Sequence, residues 1–271
     1  MLPACPAGML GRVDEEGMTM SEVLRTEHVD GVLVLTLNRP HRRNTVDREL
    51  ADALDAAFAA AELDRSVRVV VVTGGPEFFS AGTDLSQETS PTTPDGGPYG
   101  FVRRSRTRPL IAAVEGFALG GGLEMVLACD LVVAAEGAQL GLPEVRRGVV
   151  AVCGALFRAP DRLPPAIATE MLLTGTPISA ERAHAVGLVN RLAPPGGALD
   201  VALGLAREIA ANSPEAVRST VGAMIDARTA SEQAVWPLTE RAIEEVRVSA
   251  DRAEGVAAFF EKRAPRWPAG A

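Results

Sequence analysis

Residues 110–135 read LIAAVEGFALGGGLEMVLACDLVVAA. The stretch opens on an apolar run of strand length, LIAAVEG, and closes on another, DLVVAA. Continuous apolar runs without polar alternation belong to strands covered on both faces. Between them stand three consecutive glycines, Gly120 to Gly122, and then LEMVLAC, enough for a short helix. Glycine is weak material for either helix or strand, so a triplet asks for a reason. Glu124 asks for another, because a carboxylate among apolar neighbours is poorly solvated.

The pattern repeats upstream. VRVVVVTG at 67–74 is a second β-branched run, and it too leads into small residues, SAGTDL at 80–85. Earlier still, EVLRTEHV and VLVLTLN flank Asp30-Gly31, a dipeptide favoured in two-residue hairpin turns, which predicts a β-hairpin. Apolar spacing of three and four from Val46 to about Ala61 predicts a helix. SQETSPTTPDGGP at 86–98 is polar and rich in proline and glycine and reads as a mobile loop. Downstream, PPAIATEMLLTG and SAERAHAVG are helical, LVNRL is a short strand, and from about Asp200 the chain is helical to FFEKR. The fold class is therefore α/β. Three parts are expected: an N-terminal extension at 1–20, a strand-strand-helix core at 21–199 and a helical region at 200–271 that packs on the core or on another subunit.

The bulk numbers narrow the function. With 27 basic against 35 acidic residues in 271, the net charge is −8, which argues against a nucleic-acid footprint. The densest basic cluster is RPHRR at 39–43. Cys5, Cys129 and Cys153 lack metal-ligand spacing, and two lie in apolar runs, so reduced buried thiols in a cytoplasmic protein are expected, with no metal site. Charges and glycines interrupt every apolar run well before the ~20 residues of a membrane span. The first 20 residues lack the layout of a signal peptide and read as disordered, and translation is expected to start at Met18 or Met20. His28, His41 and His184 have no nucleophile or metal partner at a recognisable spacing. Trp236 and Trp267 read as packing residues, and Tyr99, the one tyrosine, offers no stacking surface.

The two small-residue turns carry the chemistry. Ser80-Ala81-Gly82 and Gly120 to Gly122 each follow a buried strand and precede a turn or helix. Glycine lets a ligand approach the backbone, and a helix start supplies N–H donors that no internal carbonyl uses. Two such donor sets converging would stabilise an oxyanion. Glu124 lies three residues after Gly121, on the same side of a helix one turn on. Glu144 follows Pro143 in LGLPE, and the lengths of the intervening helix and strand allow the chain to return it towards Glu124. The bland alternatives are a first-turn glutamate on the surface for Glu124 and an ion pair with Arg146 or Arg147 for Glu144.

VLTLNRPHRRNTVDREL, VVVVTGGPEFFSAGTDL, LIAAVEGFALGGGLEMVLACDLVVAA, LGLPEVRRGVV and ERAHAVGLVNRL, in this order, resemble the enoyl-CoA hydratase/isomerase (crotonase) family over roughly Ser21 to Pro265. The resemblance implies a spiral of ββα units with a C-terminal helical trimerisation region, assembled as a homotrimer or dimer of trimers. It implies an acyl-CoA thioester as substrate and no cofactor beyond the coenzyme A the substrate carries. It places the oxyanion hole at the N–H groups of Thr83 and Gly121, and the acid/base pair of a hydratase at Glu124 and Glu144. By the same resemblance Arg42, Arg43, Ala81, Gly82, Asp84, Leu85, Gly120 and Lys262 line the CoA ester, with Lys262 serving CoA on a neighbouring subunit. Such a site adds water across a trans-2-enoyl-CoA: a base activates water at C3, an acid protonates C2, and the hole holds the enolate.

The sequence departs from the family pattern in three places. Thr83 replaces a commoner alanine, which leaves the backbone donor intact and adds a hydroxyl near the thioester. Ala151 and Ala155 stand in GVVAVCGA where many hydratases carry proline and glycine, which bears on the loop shaping the water site. AFFEKRAPRW also resembles carnitinyl-CoA dehydratases, a sister group using the same glutamates. The competing classes are a silent acyl-CoA-binding member and an isomerase or dehalogenase, and neither calls for both glutamates.

Overall fold

The computed structural model describes residues 19–20, 23–84 and 89–268. Most of the N-terminal extension and its two candidate start codons' surroundings lie outside the described residues, as do Leu85 and positions 86–88 of the polar stretch. In chain order the first half contains β1 (Thr19–Met20), β2 (Leu24–Val29), β3 (Val32–Leu37), α1 (Arg48–Leu63), β4 (Val69–Thr73), β5 (Thr92–Thr93), β6 (Gly97–Pro98), β7 (Leu110–Val114), β8 (Phe117–Leu119), α2 (Gly121–Ala128), β9 (Leu131–Ala135) and β10 (Gln139–Gly141). There follow α3 (Ala155–Arg162), α4 (Pro165–Thr174), β11 (Ile178–Ser179), α5 (Ala180–Ala185), β12 (Arg191–Ala193), α6 (Ala198–Ala210), α7 (Pro214–Gln233), α8 (Trp236–Arg247) and α9 (Ala250–Phe260).

The hairpin forms as its turn dipeptide dictates. Asp30 and Gly31 both adopt positive φ, 50° and 79°, and β2 pairs antiparallel with β3 from Val29 opposite Val32 outward. From β3 the large sheet continues in parallel through β4, β7, β9 and β12, giving the order β1-β2-β3-β4-β7-β9-β12. A second sheet, β11-β10-β8, collects the strand that follows β7 and the one that follows β9. Successive turns of the chain thus give one strand to each sheet, which is the ββα spiral.

The period of two along a strand explains why β4 is valine at every position but the last. Val70 and Val72 face the main core with Leu35, Ala112, Val132, Leu54 and Leu123, while Val69 and Val71 face the opposite side with Val34, Ile111 and Val133. That second side is covered by α6, whose Ala198, Ala202 and Ala206, four apart on one stripe, are buried against it. Each fully buried valine contributes on the order of 1.5–3 kcal/mol. The boundary drawn on the sequence at 199/200 therefore falls inside a helix that is a layer of the core. Beyond α6, few side chains of α7, α8 and α9 are buried, and Met224, Leu238, Val248 and Phe260 are more than half exposed.

The polar stretch is more ordered than its composition suggests. Thr93 Oγ1 donates to Asp55 Oδ1 on α1 at 3.0 Å and accepts from Gly96 N at 3.1 Å, and Arg104 pairs with the same carboxylate. These contacts tie 92–104 to α1 and bury Tyr99 completely. The sequence also hid α3, because Arg158, Pro160 and Asp161 interrupt its apolar pattern. No helix among the described residues is long and apolar enough to cross a membrane.

Candidate active site

The segment between β3 and α1 holds the first small-residue turn, which bonds directly to the second. Asn44, fully buried, donates to Gly74 O at 2.8 Å and Phe79 O at 3.0 Å, and Ser80 Oγ donates to Asn44 O at 2.7 Å while accepting from Gly82 N at 3.0 Å. Ala81 N donates to Arg43 O at 3.0 Å. Leu119 N then reaches Ser80 O at 3.0 Å, and Gly120 N reaches Gly141 O at 2.9 Å. The approach is so close that a methyl group on Gly82 would stand 2.6 Å from Gly121 N, and one on Gly122 2.2 Å from Ser80 O. Only glycine fits at these contacts.

Thr83 sits in a bridge with Val46 that takes the N–H groups of Val46 and Asp84, donated to Gly82 O and Val46 O, and does not engage the Thr83 N–H. Gly121 is the first residue of α2, whose opening N–H groups have no partner within the helix. The structure thus brings Gly82, Thr83, Gly120 and Gly121 together. Arg42 and Arg43 are exposed on the turn that Ala81 anchors, and the nearby buried arginine is Arg39, ion-paired with Asp47 at 2.6 Å and Asp84 at 3.7 Å. Lys262 is exposed just past α9, and α9 packs on the turn carrying Glu144 in the same chain: a methyl on Gly255 would meet Arg147 O at 2.1 Å.

Glu124 is buried and Glu144 half-buried. Glu124 is 1% exposed, so the surface reading fails. Its Oε1 accepts from Cys153 N at 2.7 Å and Ala155 N at 3.0 Å. The loop with the two unusual alanines is therefore what holds Glu124, through backbone groups that alanine keeps. Glu144 begins a turn of 3-10 helix, Glu144–Arg147, and its Oε1 would lie 3.3 Å from a methyl on Gly120. Its Oε2 is buried without a hydrogen-bond partner. Neither neighbouring arginine pairs with it among the described residues: Arg146 donates to Thr174 O and Thr176 Oγ1, and the Arg147 guanidinium lies 4.5 Å from the centre of the Phe259 ring.

The two carboxyls differ in environment. Burial raises Glu124 above the usual carboxylate range, but the N–H groups of Ala155 and Cys153, the Cys153 thiol and the charge of Arg158 favour its ionised form. Glu144 has weaker support; burial, then the negative charge of Glu124, pushes it up to about 8. Two backbone N–H groups make Glu124 the better-supported seat for a charge, whereas the buried Oε2 of Glu144 has no such donor. One carboxylate base and one carboxylic acid beside a pair of outward N–H donors can move a proton each way across a substrate while holding an oxyanion.

The model of the enoyl-CoA hydratase/isomerase family matches residues 27–270. The chain belongs to that family. Among relatives, it is 38% identical over 259 residues to a carnitinyl-CoA dehydratase of Salmonella arizonae, with 92% of this chain and 99% of that protein covered. It is 37% identical over 251 residues to the 2,3-dehydroadipyl-CoA hydratase of Escherichia coli, covering 91% and 98%. A crystal structure of a carnitinyl-CoA hydratase from Mycobacterium avium superposes with a TM-score of 0.87 at 38% identity, over 93% of this chain and 100% of that one. Membership of the enoyl-CoA hydratase/isomerase family agrees with the α/β spiral and with a hydro-lyase acting on CoA esters.

Several residues that shape this family site here escaped the sequence reading. Tyr99 is fully buried with its hydroxyl 2.5 Å from Thr83 Oγ1. Arg158, buried on α3, forms a two-point pair with Glu232 of α7 at 2.7 and 2.6 Å and projects its charge towards Glu124. A lone arginine inside an apolar stretch, VCGALFRA, was the available signal for the second. His184 is bonded to Val189 O at 2.8 Å and Trp236 packs edge-on against Phe157, as structural residues do.

Proposed function

We propose that the protein is an enoyl-CoA hydratase, adding water across the 2,3 double bond of a trans-2-enoyl-CoA to give the 3-hydroxyacyl-CoA. The observation that carries this reading is the unequal pair of glutamates, Glu124 buried and Glu144 half-buried, beside the Gly82–Gly121 contact. In the hydration direction, ionised Glu124 takes a proton from water as its oxygen bonds to C3. The electrons of the double bond pass to the thioester oxygen, which the N–H groups of Thr83 and Gly121 hold as an enolate, and Glu144 then gives its proton to C2. The steps use proton transfers and backbone donors alone, so no cofactor is called for beyond the CoA of the substrate. Ala81, Gly82, Asp84 and Gly120 border the thioester in this reading, and Arg42, Arg43 and Lys262 supply cations for the CoA phosphates. Buried Cys129 and Cys153 suit a reducing, cytoplasmic setting.

The same residues run backwards dehydrate a 3-hydroxyacyl-CoA, and the similarity to carnitinyl-CoA dehydratases supports that direction as the second reading. Absorbance at the enoyl-thioester band, followed with crotonyl-, longer enoyl- and crotonobetainyl-CoA side by side, separates the two. Glu124→Gln and Glu144→Gln are each expected to lower turnover by a hundredfold or more while CoA-ester affinity stays within a few-fold. Near-full turnover in either variant would overturn the role assigned to that glutamate.

A further inference from the structure

Three hydroxyl groups meet beside the glycine contact. Thr83 Oγ1 lies 2.9 Å from Ser90 Oγ and 2.5 Å from Tyr99 Oη. A buried phenol needs partners for its hydroxyl, and the threonine side chain supplies one beside the Cys153 thiol. Tyr99 also touches the other turn: a methyl group on Gly121 would stand 2.0 Å from Tyr99 Oη. That direction from Gly121 lies on the same helix face as Glu124, one turn on. The phenol hydroxyl is therefore wedged between the two residues whose N–H groups face the thioester oxygen in the proposed function. On its far side Thr83 is held by the Val46 bridge, and its hydroxyl, shared with Ser90, meets Tyr99 on the side of Gly121.

We propose that Tyr99 is a positioning residue of the oxyanion hole, acting through the Thr83 side chain to set the separation of the Thr83 and Gly121 N–H donors. This rests on the hydratase reading above. It gives a reason for threonine at 83: alanine would offer the same N–H, but would leave the buried phenol bonded to the Cys153 thiol alone and the donor without its spacer. Donors spaced by a few tenths of an ångström too far still bind the neutral thioester, whereas they hold the enolate less well, so the loss falls on turnover more than on binding.

The test compares wild type, Tyr99→Phe, Thr83→Ala, Thr83→Ser and the Tyr99→Phe/Thr83→Ala double variant. Tyr99→Phe and Thr83→Ala are each expected to lower kcat roughly tenfold, the scale of one lost hydrogen bond, with KM changed less than about threefold. The double variant should lose no more than either single one, because both remove the same link, and Thr83→Ser should recover most of the loss. A second readout is independent of turnover: acetoacetyl-CoA bound to the protein reports, by its ultraviolet enolate absorbance, how strongly the hole favours the enolate. That absorbance should fall in Tyr99→Phe and in Thr83→Ala. Wild-type turnover and undiminished enolate absorbance in both single variants would overturn the proposal while leaving the hydratase reading intact. Absence of hydration and of bound enolate in the wild type would instead overturn the hydratase reading.

Discussion

Glu144→Gln should gain in stability on wild type as pH rises. Burial and the charge of Glu124 move this carboxyl from 4.5 to about 8, and its Oε2 has no partner. The folded protein thus binds the Glu144 proton more tightly than the unfolded chain does. A raised value of this kind contributes stability that is fully present below about pH 4.5 and is lost as pH rises through about 8. At about 1.36 kcal/mol per pH unit, wild type at pH 7 has forfeited about 3 kcal/mol of that contribution, and above pH 8 about 5. Glutamine has no proton to lose, so the variant escapes this decline. Its amide, left without a partner in the same place, costs about 1–3 kcal/mol at every pH, so it shifts the comparison without tilting it.

The slope is accordingly the diagnostic. Denaturant unfolding of wild type and Glu144→Gln at matched protein concentration, at pH 5, 6, 7 and 8, should show the stability difference moving in favour of the variant by about 1 kcal/mol per unit, then levelling. Matched concentration matters because the expected subunit association would add its own concentration-dependent stability. A difference that stays flat from pH 5 to 8 would mean that Glu144 titrates as an ordinary carboxyl, and the assignment of Glu144 as the neutral acid would fall with it.

Gly121→Ala keeps the backbone N–H, yet it should lower kcat by tenfold or more, because its methyl collides with Tyr99 Oη at 2.0 Å and Cζ at 2.7 Å; unchanged turnover in a well-folded Gly121→Ala protein would contradict the placement of Tyr99. The apolar positions that α7, α8 and α9 leave exposed, Met224, Leu238, Val248 and Phe260, should be covered by other subunits, so light scattering is expected to give a trimer or hexamer. A stable, active monomer would refute that assembly.

The parts of the fold that could be read from sequence are those whose apolar period is uninterrupted. β4, β7 and β9 announce themselves because both faces of the large sheet are covered, and the Asp30-Gly31 hairpin because its turn demands positive φ at both residues. The order of residues 92–104 was not legible, since it comes from Asp55, a residue of α1 whose partners Thr93 and Arg104 lie some forty residues on. α3 was hidden by Arg158 and Asp161, whose cause is again remote: Arg158 is inside because Glu232 of α7 meets it.

The candidate site divides along the same line. Spacing alone brought Glu124 within a turn of Gly121 and allowed Glu144 to return beside it, because helix rise and strand rise are constants. Which glutamate has the better support for a charge is a different kind of fact. It depends on two N–H groups from the loop at 153–155 reaching one carboxylate and none reaching the other carboxylate's Oε2, and peptide N–H groups leave no trace in residue identity. The departures Ala151 and Ala155 looked like a threat to the water site for the same reason: the sequence displays the side chains, whereas the loop works through its backbone. Thr83 is the converse case. Its proposed backbone role needs no particular side chain, so its hydroxyl becomes informative only once Tyr99 is seen to end upon it, and the residue that deviates from the common pattern is the one that the buried phenol bonds.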